Sequence, residues 1–188
     1  ERGFRPLFQP IVDGDGVLIS AEALARWDDP KLGAITPDTF IPLAERTGLV
    51  APLFTVMLAQ SLLDCRRWRD GGVEAGLSIN VSPVNLRDPL LTSELTARLE
   101  DVGLSPSDVT LEITESAVID DYSWALVTLR ELRKLGFGVA LDDFGMGYSS
   151  LGRLHDLPVS VVKLDRSFVA GLPGDERSVG IVRATVDV

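Results

Sequence analysis

The run Val109-Thr110-Leu111-Glu112-Ile113-Thr114-Glu115 decides how this chain folds. A strand sends successive side chains to opposite faces, so Val109, Leu111 and Ile113 share one face while Glu112 points to the other. One acid turned inward is as readily a structural accident, satisfied by its neighbours, as a functional group. Three further runs change that balance. In Leu77-Ser78-Ile79-Asn80-Val81 the apolar odd positions face outward and turn Asn80 inward; Val139 and Leu141 leave Asp142 inward; Val162 and Leu164 leave Lys163 and Asp165 inward. Four strands carrying polar groups at matching depth describe the C-terminal strand ends of a βα barrel, where active sites sit. Several carboxylates buried together are costly unless cations neutralise them. An all-oxygen set from Asp, Glu and Asn, with neither His nor Cys, suits Mg²⁺ or Mn²⁺ better than zinc. Lys163 among these acids serves as an internal counter-ion, as a donor to water or phosphate, or as both.

Working outward, strand-like runs near residues 4–12, 17–26, 76–82, 108–115, 137–143 and 159–165 alternate with helical ones. Pro37 to Arg46 reads as a short helix, and Pro52 to Arg69 as a longer one with an apolar stripe of Leu58, Leu62 and Cys65. Leu90 to Val102 reads as a third. Tyr122 to Leu135 follows a capping Asp120 or Asp121, repeats Ala125, Leu129 and Leu132 on one face, and stops at Gly136. Asp13-Gly14-Asp15-Gly16 is a hairpin signal, so the first two strands are expected to be antiparallel, and the later ones, separated by helices, parallel. The expected fold is therefore α/β: a TIM-like (β/α)8 barrel with one antiparallel strand. Six strands are legible where a closed barrel has eight and takes about 250 residues. Residues 1–188 are expected to form one partial domain, incomplete at the C-terminus.

Composition bounds the function. With 188 residues, 45% of them hydrophobic, the chain can bury a substantial core. A net charge of −10 argues against coating a DNA or RNA polymer, which needs clustered Lys and Arg, but leaves room for a small phosphate ligand bridged by metal ions. The single cysteine, Cys65, excludes an internal disulfide and fits a cytoplasmic setting as a core residue. His155, with no second His or Cys beside it, reads as a solvated helix residue. No apolar run of membrane-spanning length occurs, which leaves open the cytoplasmic part of a membrane-anchored protein. Glu1 to Phe8 lack an initiating Met and run at once into strand-like sequence, as expected of a piece of something longer.

Two segments complete the pattern. Ala21-Glu22-Ala23-Leu24-Ala25-Arg26 places Glu22 on the second strand with a guanidinium four residues on, suited either to bidentate phosphate contact or to a surface ion pair. Asp143-Phe144-Gly145-Met146-Gly147-Tyr148-Ser149-Ser150 follows a strand-end acid pair with glycines and serines, the composition of a gating loop. Glu22-Ala23-Leu24, with Gln9-Pro10-Ile11, Asn80-Val81-Ser82, Glu112-Ile113-Thr114-Glu115, Asp142-Asp143-Phe144-Gly145 and Lys163-Leu164-Asp165 in order, resembles the EAL domain family across essentially the whole chain.

The resemblance implies a metal-dependent phosphodiesterase that opens cyclic di-GMP to linear pGpG in bacterial signalling. It also admits a second reading, a catalytically inactive EAL domain acting as a cyclic di-GMP receptor or interaction module. It casts Glu22, Asn80, Glu112 and Asp142 as ligands of one ion and Asp142 with Asp143 as the bridge to a second, the two ions about 4 Å apart activating a shared water. Lys163 would hold that water, making Lys163, Glu22, Asp143 and Glu115 the catalytic set. Arg26 would bind phosphate, Gln9 and Leu24 would lie against the dinucleotide, and Glu115 would anchor the Asp143–Ser150 loop, which in the family tends to join a homodimer interface. Upstream sensor or cyclase domains are expected partners. The sequence departs from the family in two places: Met146 stands where a threonine is usual, and a family glutamate further along, which helps activate water, has no counterpart before Val188, so the 188-residue span alone is expected to be inactive.

Overall fold

A computed structural model describes residues 3–120, 122–145 and 156–186. The chain runs through β1 (Phe4–Val12), β2 (Leu18–Asp29), β3 (Gly33–Ile35), α1 (Pro37–Thr47), α2 (Val50–Asp70), β4 (Gly76–Asn80), α3 (Pro83–Leu86) and α4 (Leu91–Val102). It continues through β5 (Val109–Thr114), α5 (Glu115–Asp120), α6 (Tyr122–Leu135), β6 (Gly138–Phe144), β7 (Val161–Leu164), α7 (Arg166–Ala170) and α8 (Glu176–Val186). The sheet order is β1-β2-β4-β5-β6-β7, with β3 attached to β2. β1 pairs antiparallel with β2, and every pairing from β2 through β4, β5 and β6 to β7 is parallel. Among the described residues β1 and β7 remain edges, so the expected barrel architecture is present as an open sheet, with the reversed strand where the hairpin put it.

That hairpin turns on Asp13. Its carboxylate accepts from the backbone N–H of Asp15 and of Val17, at 3.0 and 2.9 Å, closing the chain between β1 and β2. α1 begins with Pro37 at its first turn and stops at Gly48 in the left-handed region. α6 spans the predicted residues and ends at Gly136 (φ 102°). Asp121 and the side chain of Asp120, expected to cap it, lie outside the described residues, as do Met146 to Ser150 and His155.

The outward strand face is continuous hydrocarbon. Leu77, Leu111 and Val139 are fully buried against Leu58, Leu62 and Cys65 of α2 and Leu129 and Leu132 of α6. Each such aliphatic side chain contributes about 1.5–3 kcal/mol by leaving water. Burial pushes the Cys65 thiol up, in keeping with a core residue. Trp68, also from α2, meets Phe8 of β1 edge to face at 4.6 Å and ties the reversed strand to the same layer.

Three short elements differ from expectation. β3 pairs only three residues with the end of β2, which runs on to Asp29 instead of stopping near residue 26. α3 and α5 follow directly on the segments that carry Asn80 and Glu112, too short to show a 3.6-residue period.

Candidate active site

The inward parity converges. Lys163 of β7 directs its ammonium to Glu112 Oε2 at 2.6 Å, Glu22 Oε2 at 2.9 Å and Asp142 Oδ2 at 3.4 Å. Asn80 donates through Nδ2 to the other oxygen of Glu22 at 2.9 Å. Five residues from five strands thus meet at one end of the sheet, because each lies on the inner parity of its strand. The outer neighbours Ala21, Ala23, Ile79, Leu111, Ile113 and Leu141 are buried on the opposite side.

The electrostatics are unbalanced. Three carboxylates surround one ammonium, and Glu112 is only 1% exposed. Burial pushes the Glu112 carboxyl up to about 7; the hydrogen bond from Lys163 pulls it down, and the charges of Glu22 and Asp142 add to the rise. Burial works against the charge of Lys163, but its hydrogen bonds to Glu112 and Glu22 more than offset that, so its pKa is raised and it stays an ammonium. Asp143 is raised as well, by partial burial and then by the adjoining Asp142 charge.

The site fits a divalent cation. Oxygens of Glu22, Glu112 and Asp142 all lie within 4.8 Å of one another, the excess negative charge is what a cation relieves, and the donor set is hard oxygen throughout. Asn80 can add its amide oxygen. Asp143 is not one of the three converging groups. It is exposed, holds a left-handed φ of 54°, and its backbone N–H donates to Asp142 Oδ1 at 3.0 Å.

The remaining expected residues stand around this centre. Gln9 is the direct ladder partner of Glu22 across β1 and β2, which puts it on the same face. Leu24 lines a cleft of about 670 Å³ that opens beside the acids. Arg26 shares the parity of Glu22 but folds back on its own strand, donating to the carbonyl of Ala25 at 2.9 Å, and does not line that cleft. Glu115, 4% exposed, accepts the backbone N–H of Gly145 at 3.0 Å and so holds the first residue after β6. Asp165, expected inward beside Lys163, instead accepts the backbone N–H of Ser167 at 2.9 Å and caps α7; the Ser167 hydroxyl first and then that backbone hydrogen bond lower its pKa.

Sequence reading missed most of the cleft wall. Ile41 and Pro42 of α1 and Leu53 and Phe54 of α2 form an apolar side, while Ser82, Asn85, Thr114 and Ser116 supply polar groups near the acids. The apolar residues carry the same helical period as core residues, so only packing distinguishes them. The polar ones follow directly after inward strand ends, a position that signals a barrel mouth.

A family model described as EAL domain matches residues 1–188. The cyclic di-GMP phosphodiesterase RocR of Pseudomonas aeruginosa is 40% identical over 185 residues, covering 97% of this chain and 47% of RocR. The bifunctional diguanylate cyclase/cyclic di-GMP phosphodiesterase MucR of the same organism is 39% identical over 181 residues, covering 95% of this chain and 26% of MucR. The chain therefore spans less than half the length of either relative. The solved structure of the PaMucR phosphodiesterase in complex with c-di-GMP superposes with a TM-score of 0.91 at 38% identity, covering 97% of this chain and 75% of that one.

Proposed function

This chain belongs to the EAL domain family, and on that premise we propose that it hydrolyses cyclic di-GMP to linear pGpG at the centre built on Glu22, Glu112 and Asp142. The observation that carries the proposal is the convergence of those three carboxylates, with Asn80, around Lys163 in the wall of a cleft with one apolar and one polar side. The relatives named as cyclic di-GMP phosphodiesterases support the substrate.

In this reading Glu22, Asn80, Glu112 and Asp142 would hold one Mg²⁺ or Mn²⁺ and Asp142 with Asp143 a second; such ions would supply an acidified water and neutralise charge at phosphorus. The chain's own residues do the rest. Lys163, held as an ammonium by Glu112 and Glu22, would give up its longest contact, 3.4 Å to Asp142, to donate a hydrogen bond to the attacking water and orient it toward phosphorus. Water oxygen bonds to phosphorus, the P–O3′ bond breaks, and the proton released from water ends on the ribose 3′ oxygen. Arg26 swings from Ala25 to a phosphate oxygen, Gln9 and Leu24 lie against the dinucleotide, and Glu115 fixes the loop that begins at Gly145.

No helix among the described residues is long and apolar enough to cross a membrane, which accords with a cytoplasmic site of action, the compartment of the substrate in this reading. A homodimer through the Asp143–Ser150 region and attached sensor or cyclase domains complete the proposal, the latter supported by the short share of MucR that the chain spans. The test is to incubate a complete EAL domain carrying this chain with cyclic di-GMP and Mn²⁺, beside residues 1–188 alone, and separate products by chromatography. Stoichiometric pGpG is expected from the complete domain and little or none from the 188 residues by themselves. Saturable binding without turnover would replace the enzyme by a cyclic di-GMP receptor.

A further inference from the structure

Gly145 is gripped from two sides, and only one grip comes from Glu115. On one side its backbone N–H donates to Glu115 Oε2 at 3.0 Å. On the other the ring of Phe168 covers its α-carbon: a Cβ at Gly145 would lie 2.7 Å from Phe168 Cε2 and 3.1 Å from Cζ, so any side chain there would have to push the ring aside. Gly145 also holds φ 100°, and Asp143, two residues before it, holds φ 54°, a conformation that a non-glycine residue keeps only when its surroundings impose it. Phe168 reaches the loop from α7, whose first turn is set by the Asp165 cap on Ser167 and by the Phe168 N–H bonded to the Asp165 carbonyl at 3.1 Å. Five residues earlier on that stretch, Lys163 enters the carboxylate cluster.

We infer that Phe168 is a positioning residue: the segment from Lys163 to Phe168 sets two parts of the centre at once, the ammonium through β7 and the backbone carrying Asp143 through the ring of Phe168 pressed on Gly145. Phe168 touches no reacting atom. It acts by limiting where the β6 exit can go, on the side of Gly145 that Glu115 does not hold. The inference rests on the proposed hydrolysis for its kinetic consequence but not for its structural one.

The test uses the full chain and the variants Phe168→Ala and Phe168→Leu. Hydrogen–deuterium exchange of the peptide containing Gly145 is expected to quicken about tenfold in Phe168→Ala while β4 and β5 stay protected. With cyclic di-GMP and Mn²⁺, kcat is expected to fall about tenfold and KM to move by no more than about twofold. Phe168→Leu, which refills part of the volume, should show smaller shifts of the same sign, about twofold to threefold in both readings, and carries the test if the alanine variant does not fold. Unchanged exchange at Gly145 in a folded variant overturns the inference, as does faster exchange with unaltered kcat in an active protein. A wild-type chain that does not turn over cyclic di-GMP removes the proposed function instead, and the exchange result then decides the role of Phe168 alone.

Discussion

The inner face of the sheet changes character one step along each strand. The lower level, taken along the length of each strand, is Ser20, Ser78, Thr110 and Gly138, small and neutral; two residues further along the same strands stand Glu22, Asn80 and Glu112, with Ala140 and then Asp142 on β6, and the β2–β4 register sets Glu22 beside Ser78. Apart from Ile19 at the start of β2, which is exposed, the outward neighbours of both levels on β2, β4, β5 and β6 are apolar and buried. The lower level fills the interior with hydroxyls and a bare backbone and leaves no charge uncompensated. The upper level crowds three carboxylates on one ammonium and lifts the Glu112 carboxyl to about 7. Packing the interior therefore does not require charge, since the same strands pack without it a few ångströms away. Charge at the upper level is retained for what it holds.

That contrast is broken most severely at Glu22, which faces both Asn80 and Lys163. Glu22→Ala is expected to lower turnover of cyclic di-GMP at least about a hundredfold, roughly 2.7 kcal/mol in the barrier. Thermal unfolding should stay near wild type, because the change removes one of several crowded like charges. Activity within tenfold of wild type would remove Glu22 from the proposed centre. Chelation should act on the same level: EDTA abolishes turnover, Mg²⁺ or Mn²⁺ restores it, and the lower level, having no charged ligand, gives the fold no reason to collapse meanwhile. Circular dichroism recorded before and after chelation checks that distinction.

A smaller effect sits at the rim. Glu115 grips the Gly145 N–H without reaching the three converging carboxylates, so Glu115→Ala should lower kcat some tenfold or more while binding of cyclic di-GMP weakens by only about twofold. Calorimetric binding beside steady-state kinetics separates the two. Parallel loss of both would make Glu115 a folding residue and blur the boundary between rim and interior.

Parity is a local property, and this is why so much of the centre was legible from sequence. The alternation around Glu112 could be read within seven residues, and Asn80, Asp142 and Lys163 followed by the same rule. Asp165 did not, because its strand ends at Leu164 and helix capping takes over from pleating at that residue. β3 was missed since three residues carry no period, and Trp27 and Asp28 pair with them only because β2 outlasts its turn-like Asp28-Asp29-Pro30 sequence. The cleft wall on α1 and α2 depends on which helix faces lean over the strand ends, a long-range outcome that a single helix pattern does not contain. Phe168 is of the same kind: nothing local marks a phenylalanine after a strand as the partner of a glycine 23 residues earlier, and only the fold brings them together.

The smallest effect is expected at the lower level itself, and it sharpens the comparison most. Ser78 is 3% exposed, and its hydroxyl lies 3.5 Å from that of Ser20, at the limit of a hydrogen bond. A contact that long contributes little, and Ser78→Ala removes the oxygen while keeping the Cβ that touches its neighbours. Ser20 is half-buried and can turn its hydroxyl toward water. Loss of stability should therefore stay within about 1 kcal/mol, less than the cost of a deeply buried donor left without a partner. Turnover should remain within about twofold of wild type: Ser78 is the ladder partner of Glu22, but the Glu22 carboxylate is held by Asn80 and Lys163, and Ser78 carries no charge. Denaturant unfolding and the same cyclic di-GMP assay measure both quantities. A large fall in turnover with stability intact would mean that the charged level extends a step deeper than its carboxylates, with the Ser20–Ser78 hydroxyls acting as part of the centre rather than as its floor.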